Sequence, residues 1–498
     1  MQADSTSSDS RIQPWHMLAA IVVVGALLRF FRLDYQSFWY DETVSARFTA
    51  YPVLDVLLGR ERDLGNPPLH YALLGVWSRL FGGSDAALRS LSATVSTVGI
   101  LAIFDVAKRL AGVRVALVAA ALLAISPPNI YYAQENRTYA LAMVLAMASV
   151  ASLLRAEQPP ARPWPWIAYA ASVLLCAYTH YFCFFFLAGH VVYVAWVHRH
   201  DRRFLLRWAL AVAAAAAVFS AIWLPAFYAQ ITTQGNLARS ASAWHLHFVG
   251  TPMVFSVGTT LVWKDSATPP RLAAAAVAVL SFGAAFLAGV VALRNNRRVL
   301  LLLGTWLLST ILIPFGISLL LSPLYNSRYV MIASPAFVIL VAAGLVHLSR
   351  IPRAAAIASV VATSVASLVL YFTSTVKHDW RSAAAWLDQQ TRPDDLLAFD
   401  VDTGEEPFAR YSRKDSPRLR LVPPERGQTT AFVGTFDRLD PPHDVTDRVN
   451  TARRVWFVLS DPGDGSDGYY EDLFGKRFLR RSQRNFRGIE ITEYVPAR

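Results

Sequence analysis

The chain has 498 residues, of which 54% are apolar and 16% charged, with a formal net charge of +12 at neutral pH. So large an apolar share, with a positive mean hydropathy, excludes an ordinary soluble enzyme and describes a polytopic membrane protein. The basic excess is scattered as short Arg clusters between apolar runs, which argues against nucleic acid as a partner and fits cytoplasmic loops.

From the start of the chain, Met1 to Ser10 is polar without the basic region of a secretory signal, and no small-x-small cleavage site follows the apolar run after Met17. Residues 1–16 therefore read as a cytoplasmic tail and the run after them as a retained first span. With about 20 apolar residues needed to cross the hydrocarbon core, spans are expected near 17–33, 86–107, 113–131, 137–154, 164–180, 182–198, 206–227, 270–293, 299–321, 329–348 and 353–374. The segment Pro67 to Phe81 is short, opens Asn66-Pro67-Pro68 and carries His70 and Arg79, so it reads as an interfacial helix. About eleven crossings place Lys108, Arg109 and Arg114, then Arg155 and Arg162, on one side. The clusters at 199–207, 294–298 and 350–353 fall there too, and that side is the cytoplasm by the positive-inside rule.

Arg29 and Arg32 break the rule at the outer end of the first span, where they either snorkel to the headgroups or hold a lipid phosphate. Cys176 and Cys183 lack the spacing of a redox or zinc pair and read as inert thiols. After Thr375 the composition becomes that of a soluble domain. Trp380 to Gln390 reads as a helix and Leu396 to Phe399, Val455 to Leu459 and Ile489 to Tyr494 as strands. The expected organisation is a membrane domain over 17–374, with a first outer loop at 34–85, followed by a small extracytoplasmic α/β domain over 375–498. No internal repeat of the transporter kind is visible.

This topology gathers polar groups on one face. Asp41 and Glu42 follow the first span, as capping residues of the next helix or as a reaction site. The polar run from Ser126 to Tyr139, containing Gln134, Glu135 and Arg137, lies between two spans. His180 tops the next outer hairpin, and Arg328-Tyr329 marks another outer turn against the charge trend. Ionisable groups near membrane depth are functional candidates. The bland alternatives are a surface Glu135–Arg137 pair, worth little when exposed, hydrogen-bonded interfacial roles for His70 and His180, and Arg328 as an interfacial anchor. Asn136-Arg137-Thr138 fits a glycosylation sequon by chance.

Phe38-Trp39-Tyr40-Asp41-Glu42, Asn66-Pro67-Pro68-Leu69-His70-Tyr71, Phe81-Gly82 before Leu88-Arg89, Ser126-Pro127, Tyr132-Ala133-Gln134-Glu135 and Arg328-Tyr329 form an ordered set. In that set the chain resembles the polyprenyl-phosphate-dependent C-type glycosyltransferases, the superfamily of protein O-mannosyltransferases and lipid A aminoarabinose transferases. The resemblance implies their mainly α-helical polytopic fold, with interfacial helices in the first outer loop and a donor lipid held in a groove open to the bilayer. It implies Asp41 as the catalytic aspartate, Glu42 as its acidic neighbour and Glu135 as the second outer-loop acid. The Asp-x-Asp metal motif of the oligosaccharyltransferase branch is absent, so no motif supports a divalent cation, and no other cofactor is expected.

The chemistry suits these residues. Transfer from a sugar phosphate passes through an oxocarbenium-like state, needing a carboxylate to take the acceptor hydroxyl proton and cations for the departing phosphate. Asp41 is the expected base, with Glu42 or Glu135 orienting it. Arg137 and Arg328 are the expected phosphate holders, with Tyr329, His70, Asn66, Gln134 and His180 completing the substrate site, and in-line displacement would invert the anomeric centre. The expected partners are a polyprenyl-phosphate sugar and an extracytoplasmic lipid, glycan or protein acceptor, at the outer side of the plasma (inner) membrane. A lipid-linked saccharide flippase is the alternative, though it would put charges in mid-span and show repeat symmetry.

Overall fold

The computed structural model of the chain describes residues 13–63, 65–160, 162–233, 244–260, 268–400, 404–414, 416, 418–421, 451–460, 474 and 477–497. The polar start, Met1 to Ser10, lies outside them. Helix α1 (Pro14–Phe30) leads into a loop carrying α2 (Tyr40–Arg47), α3 (Val53–Leu57) and α4 (Leu69–Phe81). There follow α5 (Asp85–Ile125), α6 (Pro127–Ala133), α7 (Tyr139–Ala156), α8 (Trp164–Ala177), α9 (Cys183–Val197) and α10 (Arg202–Thr233). The helical part closes with α11 (Trp244–Val257), α12 (Pro269–Ala292), α13 (Arg297–Leu320), α14 (Ser334–His347) and α15 (Arg350–Thr373).

Among the described residues six helices are long and apolar enough to cross a membrane, or seven if α5 and α6 count as one bent span. The chain is an integral membrane protein. Its exposed Leu, Val and Ile side chains on α10, α12, α13 and α15 face outward, as a lipid-facing surface requires.

Although α5 is continuous over 41 residues, it is not straight. A straight helix would hold residues 96 and 124 about 42 Å apart, yet the Arg29 side chain donates to Ser96 Oγ (2.9 Å) and to the carbonyls of Leu123 (2.9 Å) and Ala124 (3.0 Å). The chain reverses at Gly112, whose φ of +84° is open to glycine at little cost. Two antiparallel limbs result, corresponding to the expected runs 86–107 and 113–131. The second limb ends at Ile125 rather than 131, because Pro127 and Pro128 restart the chain as α6 after a 59° bend.

Arg29 corrects a sequence expectation. Its side chain neither snorkels nor faces lipid; it is fully buried and its donors are satisfied by α1 and α5. Arg32 is exposed and donates to Phe372 O at the end of α15 (2.7 Å). A second departure is α11, in a stretch where no element was expected. It packs against α12 and places His247 and Thr251 against Ser327 and Tyr325. Elsewhere α12 and α14 meet backbone to backbone, since a Cβ added to Gly289 would strike the Leu340 carbonyl and one on Gly344 the Ala285 carbonyl. Small residues permit this approach between apolar helices.

Beyond α15, α16 (Trp380–Gln390) and α17 (Glu405–Tyr411) accompany strands β1 (Leu396–Asp400), β2 (Arg418–Leu421), β3 (Val455–Ser460), β4 (Phe478–Phe486) and β5 (Ile489–Pro496). The sheet order is β2-β1-β3-β5-β4, parallel among β2, β1 and β3 and antiparallel thereafter. Trp380, Ala383 and Leu387 of α16 pack on one sheet face with Leu397, Phe399, Trp456 and Ile491. The expected helix and three strands are present; β2 and β4 were not anticipated. This unit sits on the first loop through Asp85, which accepts from Arg381 (2.9 Å), Arg410 (2.8 Å) and the Tyr411 hydroxyl.

Candidate active site

Two polar clusters mark opposite ends of the helical bundle. Along α7, Tyr139 and Arg155 are about 24 Å apart. Beside Arg155 lie Asp105 (2.7 Å) and Arg109, and in the same region Glu157 pairs with Arg298 (2.7 Å) and His198 (2.9 Å). The Tyr139 end carries the candidate residues.

There, α2 divides two adjacent acids. Successive residues on a helix diverge by about 100°, so Asp41 and Glu42 face different partners. The Glu42 side chain is fully buried, and Arg89 at the start of α5 grips it through two bonds (2.7 and 2.8 Å). Lys377 Nζ donates to its Oε2 (2.8 Å), and the Asn136 N–H donates to its Oε1 (2.9 Å). Burial opposes its charge, but the Arg89 and Lys377 cations hold the Glu42 carboxyl down at about 2.

The Asp41 carboxylate is partly open and meets two guanidiniums, Arg328 Nη1 at 3.3 Å and Arg137 Nη2 at 3.8 Å. Arg137 Nη1 also donates to Asp41 O, Ser45 Oγ and Tyr71 OH. Arg328 Nη2 donates to Tyr329 OH (3.0 Å), and its guanidinium lies over the Trp39 ring. The Nε atoms of both arginines are buried without a hydrogen-bond partner. Such orphaned donors are costly in a native structure and point to a ligand acceptor.

Glu135 is buried between these groups. Its Oε1 lies 3.4 Å from Lys377 Nζ, whereas Oε2 has no partner. Burial pushes its carboxyl above the usual range. The surface Glu135–Arg137 pair considered from the sequence is therefore replaced by Glu135–Lys377 and Arg137–Asp41, both buried deeply enough to matter.

The remaining candidates separate into neighbours and supports. His180 and Tyr329 form an aromatic wall with Tyr139 and Phe182, with ring centroids 5.0 to 6.4 Å apart. His70 is buried with its Nε2 unpartnered. Burial and the Arg137 charge push its imidazole down to about 3; His180 is pushed equally low by burial, Arg137 and Arg328. Asn66 donates to Asp63 (2.7 Å), which in turn accepts from Tyr71 (3.1 Å), a partner of Arg137, so its link to the cluster runs through those two side chains. Gln134 is spent elsewhere, its amide donating to the carbonyls of Leu28, Arg29 and Phe31 at the end of α1.

Arg89 and Lys377 were not singled out by sequence reasoning as site residues. Arg89 belongs to the Leu88-Arg89 motif that follows Phe81-Gly82. Lys377 had one weak signal, a lysine directly after the last apolar run of a chain whose basic residues are overwhelmingly Arg. Among the described residues no group of three or more His, Cys, Asp or Glu side chains could hold a metal ion; the cations facing the acids are side chains.

Residues 65–224 match the family described as dolichyl-phosphate-mannose-protein mannosyltransferase. Among solved structures, the chain is similar to ArnT from Cupriavidus metallidurans in the apo state, with a TM-score of 0.64 and 16% identity over 96% of this chain and 98% of that one. The same protein bound to undecaprenyl phosphate gives 0.62 at 16% identity, with the same coverage. The Archaeoglobus fulgidus oligosaccharyltransferase, in complex with Zn and sulfate, gives 0.54 at 12% identity over 96% of this chain and 73% of that one. No curated protein matches the chain at a significant level. The resemblance is borne out over the matched region, which contains the motifs around Asn66 and Glu135, and the fold is shared with ArnT and the oligosaccharyltransferase.

Proposed function

From that shared fold as premise, we propose that the protein is a membrane glycosyltransferase that moves a sugar from a polyprenyl phosphate to an extracytoplasmic acceptor. The observation that carries this reading is the partly open Asp41 carboxylate set between two guanidiniums whose buried Nε donors lack partners. Arg137 and Arg328 hold the donor phosphate and stabilise the charge that gathers on it as the glycosidic C–O bond breaks. Asp41 takes the proton of the acceptor hydroxyl as that oxygen attacks. Glu42 is sealed by Arg89 and Lys377 and serves to fix α2. Glu135 orients the donor, with His180 and Tyr329 forming the wall beside it.

Displacement is direct, so the anomeric centre inverts. Eleven spans, counting the two limbs of α5 and the shorter α1, α8 and α9, put the Arg-rich end with Arg109, Arg155 and Arg298 in the cytoplasm. The site and the α/β domain of residues 375–498 then lie outside, after a cytoplasmic tail of 1–16 and a membrane domain of 17–374, in the plasma (inner) membrane. A lipid donor also suits a chain without a nucleotide-binding Gly-rich loop.

The test is Asp41→Asn in the full-length protein, reconstituted with a cell-envelope extract of the source cells that supplies the lipid donors together with lipid, glycan and protein acceptors. Release of the polyprenyl phosphate is common to every acceptor. The expected result is a loss of about 10²–10⁴-fold; full retention refutes the reading.

A further inference from the structure

Glu42 and Glu135 belong to the helical part of the chain, and the cation between them does not. Lys377 lies in the short segment joining α15 to α16, and it is buried. Its Nζ lies 2.8 Å from Glu42 Oε2 and 3.4 Å from Glu135 Oε1, with the Tyr131 ring 5.3 Å away. The segment is held under the first loop by one side chain. Gln36 donates to Ser374 O (2.8 Å) and accepts from the N–H groups of Val376 (3.0 Å) and Lys377 (3.3 Å). Four residues on, the Arg381 N–H donates to Ser37 Oγ (3.1 Å).

A structural pin for Glu42 would be redundant. Arg89 already matches that carboxylate with a two-bond fork, the strongest geometry for such a pair. Glu135 has no such partner: among the described residues, Lys377 is the cation within ion-pair distance of it. The other charged and titratable groups facing Glu135 are Glu42 and Asp41 from α2, Arg328 from the turn before α14, Tyr131 and Tyr132 from α6, and Tyr371 from α15. Two of these are acids that repel its charge.

We propose that Lys377 is a positioning residue of the transfer reaction: supplied from outside the helical bundle, it fixes the Glu135 carboxylate with Oε1 engaged and Oε2 free for the substrate. The inference rests on the function proposed above. It also gives the C-terminal unit a role, since the anchoring of that unit on Gln36, Ser37 and Asp85 determines where Lys377 sits.

The experiment uses the full-length protein in nanodiscs, with a source-cell envelope extract supplying lipid donors and lipid, glycan and protein acceptors, and polyprenyl phosphate release as readout across pH 5 to 9. Lys377→Met is expected to lower release at neutral pH at least tenfold and to move the acid limb of the profile upward by a unit or more. Removing the cation leaves Glu135 easier to protonate, so activity that needs its carboxylate requires higher pH. Lys377→Arg should restore the limb. If Lys377 acts through Glu135, adding Lys377→Met to Glu135→Gln should cost less than twofold further, a comparison that stands even if the single Lys377→Met protein folds poorly. A wild-type profile for Lys377→Met, or additive losses in the double variant, overturns the proposal and leaves the glycosyltransferase reading intact. Full activity of Asp41→Asn, or no release by the wild type, removes that reading itself.

Discussion

Replacing Arg89 by Met keeps the length and volume of the side-chain stem and removes only the guanidinium. The wild-type cluster of Arg89, Lys377, Glu42 and Glu135 is balanced, two cations against two carboxylates; the substitution leaves one buried negative charge in excess. Breaking a buried pair by removing one partner costs about 3–5 kcal/mol. The carbonyls of Leu33, Gln36 and Ser37 lose their donor as well, so the upper half of that range is expected. Converting Glu42 to Met in addition restores the balance between Lys377 and Glu135, and the double variant should recover about 1 kcal/mol or more over the single one, because apolar replacement of a whole pair is far cheaper than half of it. The measurement is the fraction of detergent-solubilised protein that stays monodisperse after heating. Arg89→Met should lower the apparent midpoint by several degrees, and the double variant should lie between it and the wild type. A double variant as unstable as the sum of the two single losses would refute the reasoning, as would a single variant that melts with the wild type.

Two further outcomes follow from burial and packing. His70 and His180, both held down at about 3, contribute stability that is complete above the free-imidazole value near 6.5 and drains away as pH falls toward 3; Glu42, at about 2, is complete above about 4.5 and lost only below it. The midpoint should therefore fall between pH 6.5 and 4.5, and changing both histidines to Gln should flatten that fall; an unchanged slope would show that the imidazoles are already solvated. Gly344→Leu should separate α12 from α14 and lower the yield of folded protein in membranes, measured by the same monodispersity readout, whereas Gly316→Leu, where an added Cβ meets nothing within 4 Å, should not.

The apolar runs made the helical bundle legible, because length and hydropathy are properties of the segment itself. What they concealed was direction. Nothing in the pattern of the first span tells whether Arg29 faces lipid or protein, and it faces protein because the two limbs of α5 offer it three acceptors. Helix α11 was hidden by its 14 residues, too few to span, and by two histidines and Pro252 within them. Strand β4, Phe478–Phe486, is exposed at nearly every position and carries three charges, so it lacks the alternation that marks a strand with one buried face. In the site, Asp41, Glu42, Glu135, Arg137 and Arg328 could be read because each interrupts an apolar context. The partition of the two adjacent acids could not, since it depends on the rotation of α2. Lys377 lies in a polar linker, where a charged residue is ordinary and its being Lys rather than Arg is the one weak signal.

The order of synthesis gives the Lys377 contact a temporal meaning. Glu42 and Arg89 emerge early and within 47 residues of each other, so a nascent chain can neutralise the first acid almost at once. Glu135 must wait until 242 more residues have been made before its countercharge exists. A chain stalled or cut before residue 377 would thus hold an inserted bundle with an unbalanced buried acid at the end that carries the site.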